Sequence, residues 1–345
     1  MTKMFFSYRL LVCCLIVMFL FPSTTGGASL DLIQIGGMVR QSLALTIKDL
    51  NRFQSSSVRL NEVSSDGTYH GVFHYTGVPL RTILEMAVIE KKKDAGFNKL
   101  NDLAIIVKNK AGETSLISWG EVFYRNPGEI ILATSASPIV PHVKLNDSYA
   151  SQKIYAERLA KLSRSIGFPR LVVAGDFYTD RSLEGVESIE VVDLKPPTQA
   201  AKRGHVPLFS SSFSIITDDA NKNQQLTDLG AFPREDVITI SVGDGTGYHG
   251  IKTFSGVPLA SLLDEMQVDK DPKTAILVTA SDGYRSLLSY GELFYSINGK
   301  RILMADQSAG APLKNNGKFI LILPDDQAAD RLVKAVSTVE ILRIK

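Results

Sequence analysis

Cysteine is almost absent from this chain. Its 345 residues include two, Cys13 and Cys14, side by side near the N-terminus. Beyond that point no thiol is available for a disulfide, a thiolate metal ligand or a cysteine nucleophile. An excess of charge of one sign is missing too, because 38 lysines and arginines stand against 36 aspartates and glutamates. So even a balance argues against nucleic acid or anionic lipid as the main partner, since counterion release needs a basic surface. Lys91 to Lys93 read as a solvated loop rather than a docking patch. What is present in bulk is ordinary. Hydrophobic residues at 44% and charged residues at 21% support a buried core, and the length suits about two domains.

The longest uninterrupted apolar run is Leu10 to Phe21. Lys3 and Arg9 precede the run, Pro22 breaks it, and Gly26, Gly27 and Ala28 follow. This is the layout of a secretory signal peptide cleaved near Ala28, which predicts an exported, periplasmic or secreted protein. A run of about 12 residues falls short of the ~18–20 needed to cross a bilayer, although retention as an anchor is the competing reading. Cys13 follows a bulky Val12, which disfavours a lipoprotein box. After cleavage, neither nucleic acid nor membrane is expected as a partner. A small molecule or a periplasmic protein is.

Self-similarity organises the rest. Tyr69-His70-Gly71 returns as Tyr248-His249-Gly250, and Gly77-Val78-Pro79-Leu80 returns as Gly256-Val257-Pro258-Leu259, at one offset of 179 residues. Further on, Gly120-Glu121 and Phe123-Tyr124 return as Gly291-Glu292 and Phe294-Tyr295, at an offset of 171. The change of offset fits a longer first-copy loop, Val88 to Asp102. A third block pairs Arg170 to Val173 with Lys318 to Leu321, and Ile189-Glu190-Val191 with Val339-Glu340-Ile341. Order kept across three blocks indicates tandem duplication. The predicted layout is a signal peptide (1–28), a first module (29–194), a linker (195–207) and a second module (208–345).

Within each copy the pattern predicts a leading helix, such as Ile47 to Phe53 capped by Thr46. Alternating strands follow at Val58 to Val63 and Val237 to Val242. A Gly-Val-Pro-Leu turn then feeds a helix over Leu80 to Ala87, or over Leu259 to Met266, with proline in the first turn. Buried strands at Leu103 to Val107 and Ala275 to Val278 precede helices near Glu121 and Glu292. Asp325 and Asp326 are expected to cap a helix over Ala328 to Val336. Copy one also carries an insert around Asn146 to Ser165, whose Ser151 to Leu162 reads as an amphipathic helix. Irregular alternation with several turn-linked strands predicts an α+β class, each copy a mixed, mainly antiparallel module.

An aromatic-(Thr/Ser)-Gly-Val-Pro-Leu segment opens a Leu-Leu helix, followed by a buried strand, Asp282-Gly283-Tyr284, a helix near Gly-Glu-Leu-Phe, and Gly310-Ala311-Pro312-Leu313. This block order resembles the sulfite-oxidase-type molybdopterin-binding domain family. Copy two carries it best. Copy one has Ala111-Gly112-Glu113 in place of the tyrosine turn and Ser137-Pro138-Ile139-Val140 in place of Gly-Ala-Pro-Leu. The resemblance implies that family's fold and, in its catalytic members, a molybdenum-binding cysteine before the Gly-Val-Pro-Leu segment. The matching stretches here, Glu62 to Asp66 and Val242 to Gly245, contain none. Asp or Ser does not substitute for a soft thiolate without changing the metal's electronics and affinity.

The candidate pocket residues are Tyr69, His70, Tyr248, His249, Asp282 and Tyr284. His70 and His249 are the only histidines shared by the copies. Each reads either as a pocket ligand or as a group fixing its turn through a backbone carbonyl. One histidine per copy makes no metal set, and His74, His142 and His205 are unpaired across the copies. No Cys-x-x-Cys-His motif supports haem, Ser115 and Ser289 lack a nucleophile elbow, and no catalytic residue is identified. The sequence favours a non-catalytic ligand-binding or interaction protein of molybdopterin-binding-like fold. Its alternatives are an oxidoreductase holding molybdopterin without a cysteine ligand, and haem or metal binding through His70 and His249.

Overall fold

Runs that alternate apolar and polar residues over five to twelve positions become strands here, and they dominate. The structure is a computed structural model that describes residues 32–139, 160, 164–195, 208–243, 247–269, 271–314 and 317–344. The expected signal segment, His142, His205, the expected linker beyond Lys195 and nearly all of the stretch expected as an insert helix lie outside the described residues. The first copy contains β1 (Ile33–Gly37), β2 (Leu43–Leu45), α1 (Ile47–Leu50), β3 (Ser56–Val63), β4 (Tyr69–Pro79) and α2 (Leu80–Ala87). It continues through β5 (Ala104–Asn109), β6 (Thr114–Ser118), α3 (Trp119–Phe123), β7 (Ile130–Pro138), β8 (Arg170–Val173) and β9 (Val186–Val192). The second contains β10 (Phe213–Ile216), β11 (Gln224–Leu226), β12 (Glu235–Gly243), β13 (Gly247–Pro258), α4 (Leu259–Glu265) and β14 (Thr274–Ala280). It ends with β15 (Arg285–Ser289), α5 (Tyr290–Phe294), β16 (Leu303–Ser308), β17 (Ala311–Pro312), β18 (Ile320–Ile322) and β19 (Val336–Arg343). The class is thus mixed α and β, mostly strand with few and short helices. No helix among the described residues is long and apolar enough to cross a membrane.

Each copy builds two sheets in the same order. The first copy's β2-β1-β9-β5-β6 matches the second's β11-β10-β19-β14-β15. Likewise β3-β4-β7-β8 matches β12-β13-β16, with β18 paired to β16 and β17 added at the edge. Among the described residues only β1–β9 and β10–β19 pair in parallel. The register bears out the pairing of Ile189-Glu190-Val191 with Val339-Glu340-Ile341 and corrects the other half of the third block. Leu171 donates its amide to Leu183 as Leu321 does to Val333, and Ser188 faces Gln34 as Thr338 faces Ser214. The true offset there is 150, so Arg170 corresponds to Ile320 rather than Lys318.

Helix α2 buries Leu80, Ile83, Leu84 and Ala87, the i, i+3, i+4, i+7 stripe of an amphipathic helix, between the two sheets of its copy. The Gly-Val-Pro-Leu segment is not a turn but the end of a strand running straight into that helix. Glycine is required there by close approach: a Cβ at Gly77 would stand 2.2 Å from the Leu132 carbonyl, and one at Gly256 2.3 Å from that of Met304. Thr46 does cap α1 through a capping box with Asp49, but copy two has no such helix. Its stretch from Leu226 to Leu229 is two residues shorter than Leu45 to Leu50, too short for the turn. The helix expected over Ala328 to Val336 is also absent. A single 3-10 turn, Ala329–Arg331, is followed by a bridge from Val333 to Leu321 and then by β19. Asp326 serves Arg331 instead of a helix.

β5 and β14 are buried on both faces, which explains their continuous apolar runs. One face of each packs on its own copy's core. The other meets the opposite copy, where Ala104 and Leu116 lie against Ala275, Leu277 and Leu287. Two buried arginines complete this contact. Arg181 binds Asp176 at 2.7 and 2.8 Å, Glu121 at 2.8 Å and, across the copies, Ser289 at 2.9 Å. Arg331 repeats the pattern with Asp326 at 2.6 and 2.7 Å, Glu292 at 2.7 and 3.1 Å, and Ser118 at 3.4 Å. Each guanidinium lies over the other copy's Gly-Glu glycine. A Cβ at Gly291 would sit 2.1 Å from Arg181 Nε, and one at Gly120 2.2 Å from Arg331 Cδ. Ser118 and Ser289 cap α3 and α5 and donate to the opposite copy's Glu292 and Glu121, at 2.9 and 2.7 Å.

Candidate functional site

The hairpins that carry the Tyr-His-Gly elements, β3–β4 and β12–β13, wall equivalent clefts in the two copies. The clefts differ because the inward-facing residues differ. In copy one these are Leu60, Glu62, Phe73 and Tyr75, all buried. Arg170 reaches Glu62 at 2.8 Å and lies over the Tyr75 ring at 4.9 Å, and the Tyr75 hydroxyl donates to Glu62. Arg164 binds Glu62 at 2.5 Å and Glu184 at 2.7 Å. Two arginines therefore neutralise two glutamates, and the aromatic rings fill what remains.

In copy two the same positions hold Thr239, Ser241, Lys252 and Phe254, with Ile320 in place of Arg170 and Lys334 in place of Glu184. With shorter side chains at four of these six positions and no ion network among them, the space stays open. A cavity of about 270 Å³ is lined by Ser241, His249, Lys252, Asp282, Tyr284, Asp330 and Lys334 together with Lys99 of copy one. A second cavity of about 290 Å³ adjoins it through Ser241, Lys252, Ala329, Leu332 and Lys334.

The longer first-copy loop brings Lys99 there. Its Asn101 side chain donates to the Asp330 carbonyl at 3.1 Å, its backbone carbonyl accepts from Leu287 at 2.9 Å, and Phe97 meets Tyr284 edge-on at 5.7 Å. Lys91 anchors the loop. It is buried rather than solvated, contrary to the sequence expectation, with its ammonium 2.5 Å from Asp102, which also binds Arg285 at 2.7 Å. Only Lys92 and Lys93 of that run are exposed.

Of the sequence candidates, His249, Asp282 and Tyr284 share this cavity. The Nε2 of His249 lies 2.7 Å from the Gly243 carbonyl oxygen, so this ring also ties the ends of its hairpin. Asp282 accepts from the Tyr284 amide at 2.9 Å, the Asx geometry of a tight turn. The Tyr284 hydroxyl donates to the Asp330 carbonyl, and burial raises its pKa. Tyr248 points away at 63% exposure, and Tyr69 and His70 sit exposed on the copy-one hairpin, as does His74. Three cavity lysines escaped the sequence reading, because at Lys252 and Lys334 the copies differ and Lys99 lies in the unmatched loop. Ser115 is buried and Ser289 is committed to Glu121 and Arg181, so neither is placed as a nucleophile.

The residues do not fit a thiolate-held metal. Glu62 is consumed by Arg164 and Arg170, Ser241 and Gly243 offer no sulfur, and no group of three His, Cys, Asp or Glu side chains among the described residues is placed to hold an ion.

Comparison with known proteins adds little. No family model matches the chain and no curated protein matches it. Among solved structures, the sulfane dehydrogenase SoxCD from Paracoccus pantotrophus is similar over 91% of this chain and 78% of that one. At 14% identity and a TM-score of 0.33, the likeness carries no argument.

Proposed function

We propose that this chain is an exported, non-catalytic binding protein, built from two degenerate copies of a sulfite-oxidase-type molybdopterin-binding fold, whose second copy holds a small ligand. One observation carries the reading: the cleft that copy one fills with Phe73, Tyr75 and the Glu62–Arg170 pair is open in copy two. A pocket of a few hundred Å³ with convergent polar groups is the usual form of a small-molecule site. The missing sulfur supports binding over oxygen-atom transfer, and the N-terminal 28 residues support export.

Metal analysis and visible spectra of the full chain, purified from the exported fraction of its native cell, test the proposal. A colourless, metal-free protein is expected. Stoichiometric molybdenum or tungsten would replace the binding reading with cofactor-dependent chemistry, and a Soret band lost in His249→Ala would replace it with haem binding. Recovery of the chain with residues 1–28 intact in the cytoplasm would remove the export claim.

A further inference from the structure

The second-copy cleft carries more than space; it carries a charge sign that copy one lacks. Three lysines, Lys99, Lys252 and Lys334, line it against two aspartates, Asp282 and Asp330. Both aspartates are engaged. Asp282 accepts from the Tyr284 amide, and Asp330 lies 3.7 Å from Lys99. Among the described residues no carboxylate stands within ion-pair distance of Lys252 or Lys334, whereas the third cavity lysine, Lys99, lies 3.7 Å from Asp330. Their copy-one counterparts are Phe73 and Glu184, and Glu184 is bound by Arg164 at 2.7 Å. Copy one thus closes its own charges, while copy two leaves two ammonium groups facing one cavity with no carboxylate partner among the described residues.

We propose that the ligand of this cleft is a small organic anion bearing one or two carboxylate or phosphate groups, gripped by Lys252 and Lys334 and screened on one side by Lys99 from the other copy. The proposal rests on the binding reading above. Ammonium groups are point charges that accept either anion without a fixed fork geometry, so the site selects for charge and size rather than for one oxyanion. A cavity of about 270 Å³ suits a compact molecule of ring size. Because the lysines are exposed, their attraction is screened by salt.

Calorimetric titration of the full chain with isophthalate, with its uncharged isostere isophthalamide and with pyrophosphate decides the matter. Isophthalate or pyrophosphate should bind and weaken with added salt, and isophthalamide should not. Lys252→Glu and Lys334→Glu should each weaken binding by about tenfold. Their melting temperatures should stay unchanged, since both side chains lie on the surface. Ser241→Trp, which fills the cleft, should abolish binding. Whichever anion binds more tightly identifies the headgroup. If isophthalamide binds as well as isophthalate and Ser241→Trp removes both, the cleft binds a neutral ligand and the anion proposal falls alone. If no probe binds, or if binding ignores Ser241→Trp, the cleft reading falls with it.

Discussion

Two copies of one strand order have diverged in their clefts, and the divergence lies in a few inward side chains. Copy one spends its cleft on structure: Glu62, Arg164, Arg170 and Glu184 form a closed ion network over Phe73 and Tyr75. Copy two keeps Ser241, Lys252, Ile320 and Lys334 at those places and leaves space. At the seam between the copies the opposite holds, because each copy's buried arginine lies on the other's glycine in near-symmetry. A duplicated fold can diverge where a copy faces solvent. It cannot easily diverge where the copies must fit each other.

The seam provides the largest expected effect. Replacing Arg181 or Arg331 by methionine leaves two buried carboxylates without their guanidinium, which costs about 3–5 kcal/mol. The two variants should not be equal. Arg125 stands 3.4 Å from Glu292, on the Arg331 side, whereas its copy-two counterpart is Ser296. The Arg331→Met variant retains that second cation, so Arg181→Met should be the less stable of the pair. Urea denaturation reads the order directly. Equal losses would show that Arg125 does not share the load.

The clefts come next. Arg170→Ile installs the copy-two residue in copy one and removes one of the cations that hold buried Glu62, at about 3 kcal/mol. Adding Glu62→Ser, again the copy-two residue, removes the stranded carboxylate. The double variant should therefore be more stable than Arg170→Ile alone, by about 1–2 kcal/mol. If it is instead less stable by the sum of the single losses, Glu62 and Arg170 act independently and the closed network is not one unit.

Charge balance at the seam predicts a pH dependence of smaller size. Burial pushes Asp176 up to about 6, against the attraction of Arg181, and raises Asp326 as well. Burial opposes ionisation of Glu292 too, but Arg331 and Arg125 together hold its carboxyl below the ordinary range. An acid whose folded value exceeds its unfolded one binds its proton more tightly when folded. Its contribution to stability is therefore full below about pH 4 and is lost as pH rises to about 6. For Asp176 alone this is at most roughly 3 kcal/mol. Asp176→Asn cannot titrate, so its deficit relative to wild type should shrink between pH 4 and pH 7. A deficit that grows over that range would mean Arg181 keeps Asp176 ionised throughout.

Much of this was legible as repetition. The paired strands, the α2 helix and the glycines of Gly120-Glu121 and Gly291-Glu292 can be found by matching one copy to the other. Why those glycines are needed cannot, because the atoms that occupy their missing side chains belong to an arginine in the opposite copy. The cleft was only half legible for a related reason. Matching copies draws attention to shared residues such as His249, but Lys252 and Lys334 matter because copy one has Phe73 and Glu184 there. Local signals misled where tertiary contacts outbid them, as when Asp326 paired with Arg331 in place of capping a helix, and when Lys91 was drawn beneath its loop by Asp102.

The outer faces of the two hairpins give the smallest effect and the sharpest control. Copy two exposes Ile238, Ile240 and Ile251, each above 60%, where copy one has Arg59, Asn61 and Val72. Ile238 and Ile251 point away from the cleft, since Thr239 and Lys252 occupy the neighbouring positions along the same strands, whereas Ile240 also borders the second cavity. Ile238→Arg therefore makes the outer face resemble copy one without touching the cavity. Stability should change by no more than about 0.5 kcal/mol. Isophthalate affinity should also be unchanged, because strand alternation separates the two faces. A loss of affinity would mean that the hairpin bends as a unit and that its outer face helps to set the width of the cleft.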